Sequence, residues 1–300
     1  MTPARLRARA TALEECLGAC RLCPRACGAR RLEGETGQCG TAAAAWVHAA
    51  APHFGEEPPL VGLHGSGTIF FAWCNLSCLY CQNHDISTGR GGRPVSAEQL
   101  ASLMLRLQEA GCHNINLVTP THVTAQIVRA VALAAERGLR IPLVYNCGGY
   151  ESLTTLRLLE DVVDIYMPDI KYSDNEAAQA CSGVPHYWET ARAAVAEMHR
   201  QVGDLWTDDR GIARRGLLIR HLVLPGDLAG SERVLEFIRR DISLDAYINI
   251  MDQYHPAHRA FGHRLLGRPV TGAEVDAVRQ CAVRLGLHRG FARPRHALAG

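Results

Sequence analysis

Three cysteines stand within the stretch CNLSCLYC, at positions 74, 78 and 81. Thiolates are the preferred ligands of soft metals, including zinc and iron–sulfur clusters. A structural zinc site uses four protein ligands. Three cysteines bind three irons of a four-iron cluster and leave the fourth iron open to another ligand. The spacing therefore predicts a [4Fe–4S] cluster that binds a substrate or cosubstrate directly, although three such cysteines also occur in zinc sites.

A second group of cysteines lies near the N-terminus, at Cys20, Cys23, Cys27 and Cys39. The segment around them is short, rich in glycine and poor in large apolar residues. A bound metal would supply the folding energy that such a segment lacks. Four ligands fit a closed zinc site, which we prefer, and they also fit an auxiliary iron–sulfur cluster that relays electrons. Cys16 is a spare cysteine beside this group.

Composition limits the class of protein. Of the 300 residues, 47% are hydrophobic and 21% are charged, and the net charge is +2. No run of 18 or more apolar residues predicts a membrane span, and the basic N-terminus lacks the apolar stretch of a secretory signal. The small charge gives no reason to expect a nucleic-acid partner. We expect a cytoplasmic protein, in which twelve cysteines point to metal chemistry rather than disulfides.

Strand-like and helix-like segments alternate after residue 65. Six strands are predicted, at 68–72, 115–118, 141–145, 163–167, 216–224 and 246–251. Helices are predicted to follow them, one starting at Ser96 and the last starting at Thr271, each with a capping-box pattern. This alternation predicts an α/β fold, either a partial (β/α)6 barrel or a doubly wound sheet. We divide the chain into a cysteine-rich N-terminal segment, 1–64, and a barrel with a C-terminal helix, 65–300.

Polar residues follow every predicted strand. After the cysteine loop come TPTH (119–122), NCGGYE (146–151), PDIK (168–171) and DQYHP (252–256), and RH (220–221) lies within the fifth strand. Functional residues of parallel α/β folds collect at the carboxyl ends of strands, so these groups should share one rim. Arg220 and His221 are adjacent on a strand, so only one of them should face the interior. Lys171 is the only lysine in the chain.

The C-x3-C-x2-C spacing, with Tyr80 just before the last cysteine, resembles the signature of the radical S-adenosylmethionine (SAM) superfamily. The resemblance implies a partial (β/α)6 barrel whose cluster loop follows the first strand. It also implies that the open iron binds SAM and that the cluster donates an electron to it. The 5′-deoxyadenosyl radical then formed takes a hydrogen atom from the substrate.

Several segments together resemble the branch that contains the activating enzyme of pyruvate formate-lyase: CNLSCLYCQNHDIS, LVTPTH, YNCGGYES, DIYMPDIKY and RHLVLPG. The resemblance assigns catalytic roles to Asp169 and Lys171, which on their own also fit a surface ion pair. The loop that usually reads Gly-Gly-Glu-Pro reads Thr119-Pro120-Thr121-His122 here and lacks the acidic residue. The expected SAM-binding residues are Tyr80, Thr119, Thr121, Asn146, Gly148, Gly149, Asp169, Lys171, Arg220 and His221.

The predicted function is that of a radical SAM oxidoreductase. The branch implies hydrogen abstraction from a glycine of a partner enzyme, although another peptide position and a small metabolite remain open. It also implies an electron donor such as flavodoxin or ferredoxin. The alternative is a non-catalytic iron–sulfur or zinc module for electron transfer or protein interaction. Cleavage of SAM by the reduced protein distinguishes the two.

Overall fold

The computed structural model describes residues 2–89 and 91–291. Within them a mixed sheet runs in the order β3-β1-β2-β4-β5-β6-β8, and β7 and β9 both pair with β8. The strands are β1 (Ala45–His53), β2 (Ser66–Phe71), β3 (Arg93–Val95), β4 (Ile115–Val118), β5 (Leu143–Cys147), β6 (Ile165–Pro168), β7 (Trp206–Thr207), β8 (Ala213–Leu222) and β9 (Tyr247–Met251). The successive strands β2, β4, β5, β6, β8 and β9 are parallel, which confirms the predicted α/β partial-barrel fold.

Ten α-helices precede, connect or follow the strands in the described ranges. They are α1 (Pro3–Glu15), α2 (Pro58–Val61), α3 (His84–Ser87), α4 (Ala97–Glu109), α5 (Thr124–Glu136), α6 (Leu153–Leu158), α7 (Asn175–Ser182), α8 (Tyr187–Val202), α9 (Ser231–Phe237) and α10 (Gly272–Arg284). Both predicted capping boxes are present, at Ser96 with Gln99 and at Thr271 with Glu274. These side chains satisfy backbone amides that the first turn of a helix leaves unpaired, so the two helices begin where the sequence predicts.

Strand alternation separates two layers. Ile69, Leu117, Tyr145 and Ile219 face the helices and belong to the main core. The opposite face lines the barrel interior, where Val144, Ile165 and Leu218 pack against Leu60 of α2. This short helix therefore closes the interior at the end opposite the carboxyl ends of the strands.

The N-terminal residues are built into the same fold. Leu6 and Leu13 of α1 are buried in the main core, and α1 packs on α5. The strand β1 pairs antiparallel with β2, from His53 opposite Ser66 onward. The predicted boundary at 64/65 falls between these paired strands, so the two segments share one sheet. The sequence AWVHAAAPH of β1 has alanine at four of its nine positions, so it lacks the alternation of bulky apolar residues that marks a strand.

None of the helices in the described ranges combines the length and the apolar character that a membrane crossing requires.

Candidate active site and cysteine centres

The three cysteines of CNLSCLYC lie in the loop that follows β2. Each sulfur has a hydrogen-bond partner of its own: the Leu76 amide donates to Cys74 (3.3 Å), the Ser182 hydroxyl lies 3.0 Å from Cys78, and the Ser87 hydroxyl donates to Cys81 (3.4 Å). Burial raises the pKa of the Cys74 and Cys78 thiols. Protonated thiols are poor ligands, so binding of a cationic cluster is needed to hold these sulfurs as thiolates.

The described part of the chain contains no site with the geometry of a single bound metal ion. There, no three Cys, His, Asp or Glu side chains converge as the ligands of one metal ion. A four-iron cluster does not need such convergence, because each cysteine binds a different iron. Three half-buried cysteines on one short loop, with a hydrogen-bond partner for each sulfur, fit the cluster that the spacing predicts.

An ion-pair network lies at the carboxyl ends of β6 and β8. Asp169 accepts from the Lys171 ammonium (2.6 Å) and from the Arg220 guanidinium (2.8 Å) on its two carboxylate oxygens. Burial alone would raise the pKa of Asp169, but Arg220 and Lys171 hold it below its usual value. Lys171 also lies close enough to Cys78 for the two charges to interact. The network therefore carries positive charge to the edge of the cysteine loop.

Arg220 extends this network into the barrel. It donates to the Asn146 side-chain oxygen (2.7 Å) and lies 3.6 Å from Glu56, which is near the start of α2. Burial raises the pKa of Glu56, and Arg220 opposes that effect. The predicted residues Asn146, Asp169, Lys171 and Arg220 are thus brought together on the interior face.

The glycine pair after β5 allows backbone to pass close to Asp169. Gly149 has φ +77°, and a Cβ there would lie 2.3 Å from the Asp169 carbonyl oxygen. A Cβ on Gly148 would lie 2.6 Å from Leu76 of the cysteine loop. The Tyr187 hydroxyl accepts from the Lys171 amide (2.9 Å) and lies 3.0 Å from the Gly148 carbonyl. This hydroxyl joins the glycine turn to the lysine strand end.

Two predicted residues lie beside the site. Tyr80 is buried, and its hydroxyl accepts from Tyr172 (2.7 Å), whose own hydroxyl is 2.8 Å from Ser182. It therefore supports the cysteine loop from behind. Thr119 has φ +59° and its amide donates to the Asn146 carbonyl, so it marks the sharp turn after β4.

Two other predicted residues are not part of the interior network. His221 lies on the helix face of β8, with its ring nitrogens 2.7 Å from the Ile170 carbonyl and 2.8 Å from the Ser231 hydroxyl. The Thr121 hydroxyl donates to the Glu151 carboxyl group (2.7 Å). Glu151 is buried, and this burial raises its pKa to about 8. Both side chains are fully buried and already bonded within the helix layer. Strand alternation explains His221, as expected for one of two adjacent strand residues.

Sequence reasoning missed some interior groups. Glu57 accepts from Asn249 (2.8 Å) with one oxygen, while its second oxygen has no partner among the described residues. Asn116 is fully buried on the interior face of β4, and neither atom of its amide has a protein partner there. The alternation of Asn116 between Ile115 and Leu117 was a usable signal. Glu56 and Glu57 reach the interior through the chain reversal before α2, which no local pattern marks.

The N-terminal cysteine segment packs against the cysteine loop of the barrel. Arg25 donates to the Asn75 carbonyl, and Gly40 lies against the ring of Trp73, the residue before Cys74. A cavity of about 390 Å³ is bordered by residues of both, including Cys39, Cys74 and Cys78. The two groups of cysteines therefore lie on either side of one cavity.

The chain is similar to several known proteins. An uncharacterised protein of Methanocaldococcus jannaschii is 29% identical over 245 residues, which are 78% of this chain and 66% of that protein. The match thus spans about two thirds of the length of this curated relative. SuiB of Streptococcus suis, solved with its precursor peptide SuiA, aligns with a TM-score of 0.50 at 10% identity, over 73% of this chain and 46% of SuiB.

A radical SAM methyltransferase of Sphaerobacter thermophilus aligns with a TM-score of 0.47 at 15% identity, over 75% of this chain and 65% of that one. Residues 68–207 match the family model of the radical SAM superfamily. That range begins in β2, includes the three cysteines of the loop and extends through the Asp169–Lys171 strand end to β7. Over this range the chain is similar to the radical SAM superfamily.

Proposed function

We propose that the protein cleaves SAM reductively and removes a hydrogen atom from a polypeptide substrate, as an oxidoreductase of the pyruvate formate-lyase activating type. Cys74, Cys78 and Cys81 hold the cluster. When bound, the cluster and SAM supply one electron and a 5′-deoxyadenosyl radical. The chain's own residues position SAM and exclude water from it.

The observation that supports this proposal most strongly is the placement of Lys171. Its ammonium is bonded to Asp169, which also binds Arg220, and it lies beside Cys78 of the cluster loop. A fixed row of donors at this place can orient the carboxylate and ribose oxygens of SAM. The backbone of Gly148 and Gly149 lies next to the row, because the missing side chains let it pass close to Leu76 and to the Asp169 carbonyl.

The test is anaerobic reconstitution followed by chemical reduction in the presence of SAM. We expect 5′-deoxyadenosine to form, and the reduced-cluster EPR signal to change when SAM is added. Cys78→Ala should abolish both, while Cys112→Ala, which changes a buried cysteine outside the loop, should keep both. Equal 5′-deoxyadenosine yields from Cys78→Ala and wild type would refute the proposal.

A glycine as hydrogen donor is supported by the sequence branch. It can be tested with cell protein from the source organism that is labelled with α-deuterated glycine. Deuterium in the 5′-deoxyadenosine product supports a glycine donor, and its absence, with deuterium appearing from other labelled residues, argues for another peptide position.

We place the reaction in the cytoplasm, with flavodoxin or ferredoxin as the electron donor. All twelve cysteines are free thiols in the structure, which suits a reducing compartment. The second metal site, predicted at Cys20, Cys23, Cys27 and Cys39, is independent of this proposal.

A further inference from the structure

A buried arginine lies among the N-terminal cysteines. Arg31 is 0% exposed. Its guanidinium donates to the Ala42 carbonyl (2.9 Å), the His122 carbonyl (2.8 Å) and the Thr41 hydroxyl (3.0 Å), and it lies 3.7 Å from the Cys20 sulfur. Among the described residues, none of these bonds goes to a carboxylate. Since a guanidinium keeps its charge in proteins, a buried one needs a negative group nearby.

The four cysteine sulfurs are arranged as hydrogen-bond acceptors. Arg31 points at Cys20, and the backbone amides of Ala29 and Gln38 point at Cys27. The Arg25 amide points at Cys23. Thr41 lies 3.2 Å from the Cys39 sulfur, and because Thr41 already accepts from Arg31, its own proton is available to Cys39. Hydrogen bonds converging on sulfur are typical of metal-bound thiolates.

The spare cysteine shows the opposite pattern. Cys16 donates its thiol proton to the Ala12 carbonyl (3.3 Å), four residues earlier in the chain. The Cys16 sulfur thus bonds to a carbonyl of α1 and lies outside the group whose sulfurs accept hydrogen bonds. This contrast selects four cysteines of the five in the segment.

The glycine at position 37 lies against two of the four cysteine sulfurs. A Cβ on Gly37 would lie 3.3 Å from the Cys39 sulfur and 3.4 Å from the Cys27 sulfur. Cys20 and Cys27 are themselves in side-chain hydrogen-bond contact. Position 37 therefore carries no side chain where its backbone lies against the Cys27 and Cys39 sulfurs.

We infer that Cys20, Cys23, Cys27 and Cys39 bind one metal–thiolate centre of net negative charge, and that Arg31 is its buried counter-charge. Four thiolates around zinc, or around an iron–sulfur core, leave excess negative charge, which the uncompensated guanidinium balances. Four neutral thiols would leave Arg31 alone in the core. Zinc requires the four sulfurs to close on one ion, whereas an iron–sulfur cluster does not.

The test uses full-length protein in which Cys74, Cys78 and Cys81 are all alanine, so failure of the proposed SAM chemistry has no influence on it. Metal analysis after anaerobic purification should find about one zinc or about four irons per chain. Zinc would make the centre structural, and iron would make it a redox centre beside the barrel cluster. Adding Cys27→Ala should remove the metal, and adding the matched Cys16→Ala should leave it.

Arg31→Met should lower metal affinity about 10- to 100-fold in competition with a chelator, and Arg31→Lys should recover part of the loss. Unchanged affinity in Arg31→Met overturns the counter-charge role. Cobalt(II) titration of the same alanine background, without N-terminal changes, covers the case in which a variant fails to fold. A sulfur-to-cobalt charge-transfer band supports the centre, and absence of both this band and bound metal refutes it.

Discussion

The two cysteine groups of this protein differ in how positive charge is placed around them. At the barrel loop, the ammonium that interacts with Cys78 belongs to Lys171, and Asp169 is paired with this ammonium at 2.6 Å. At the N-terminal group, Arg31 meets no carboxylate within the described chain and points at a sulfur. The first arrangement keeps a charged, adjustable site for an incoming ligand. The second closes the site with the protein's own groups. In the proposed assignment, three cysteine ligands leave the barrel site open and four cysteine ligands close the N-terminal site.

The largest expected effect is that a cysteine substitution removes activity at one site and thermal stability at the other. Cys78→Ala should leave no detectable 5′-deoxyadenosine but keep most of the thermal stability. Cys27→Ala should lower the melting temperature by more than about 10 °C, because metal binding of this kind contributes folding free energy directly. Calorimetry and product analysis of both variants check this. If both variants lose activity and melt at the wild-type temperature, the two groups do not have separate roles.

A second experiment removes the carboxylate that distinguishes the barrel site. Asp169→Asn leaves Lys171 and Arg220 without their shared partner, and breaking such a buried pair typically costs about 3–5 kcal/mol. We expect 5′-deoxyadenosine formation to fall about 100-fold or more while the iron content of the loop stays unchanged. Asp208→Asn is the control, because Asp208 pairs with Arg214 at the surface, where an ion pair contributes little to stability. Wild-type turnover in Asp169→Asn would contradict the role of the network.

Much of the barrel site could be predicted from sequence because strand ends are marked locally. Apolar runs located the six parallel strands, and four of the polar residues predicted for the site, Asn146, Asp169, Lys171 and Arg220, met at one rim. The alternation of Arg220 and His221 correctly placed one of them outside the interior network.

The missed features depend on contacts between distant parts of the chain. Glu56 reaches Arg220 only because the chain reverses direction between β1 and α2. The strand β1 is itself hard to predict, because its alanines give no alternating apolar pattern. Arg31 is one of many arginines in the sequence, and its importance appears only when its burial and its hydrogen-bond partners are known. Hydrogen-bond direction, which excluded Cys16, also has no sequence signal.

A third experiment compares two glycines with positive φ, one in each region. Gly149→Ala forces a Cβ against the Asp169 carbonyl oxygen at 2.3 Å, whereas a Cβ at Gly28, with φ +69°, would meet nothing within 4 Å among the described residues. Both substitutions carry the backbone cost of about 1–2 kcal/mol. Only Gly149→Ala should lower the free energy of unfolding by more than this backbone cost. It should also reduce SAM cleavage, because the clash displaces Asp169. Denaturant unfolding and product analysis measure both effects, and equal costs would show that the close approach at Gly149 is tolerated.

The last comparison concerns His122, which contacts both regions. Its carbonyl accepts from Arg31, and its ring Nε2 donates to the Ala72 carbonyl (2.9 Å), just before the cysteine loop. Burial lowers the pKa of His122 from 6.5 to about 4, and the nearby Arg31 adds to this. Its Nδ1 has no partner among the described residues, so a second ring proton would be buried and unbonded.

The pH dependence follows from this depressed pKa. Above pH 6.5 the folded and unfolded chains both hold His122 neutral, so the ring costs nothing. As the pH falls, the unfolded chain takes up a proton first, and stability is lost progressively until the folded pKa near 4 is reached. The full loss is about 3 kcal/mol, at about 1.36 kcal/mol per pKa unit. His122→Gln keeps a donor for the Ala72 carbonyl but does not titrate. The free energy of unfolding of His122→Gln should therefore increase relative to wild type as the pH falls from 7 to 4. The control is His48→Gln, which changes an exposed ring and should follow wild type throughout. If the free energies of unfolding of wild type and His122→Gln change in parallel with pH, the ring accepts a proton in the folded chain. The contact between the two cysteine regions then tolerates a second positive charge beside Arg31.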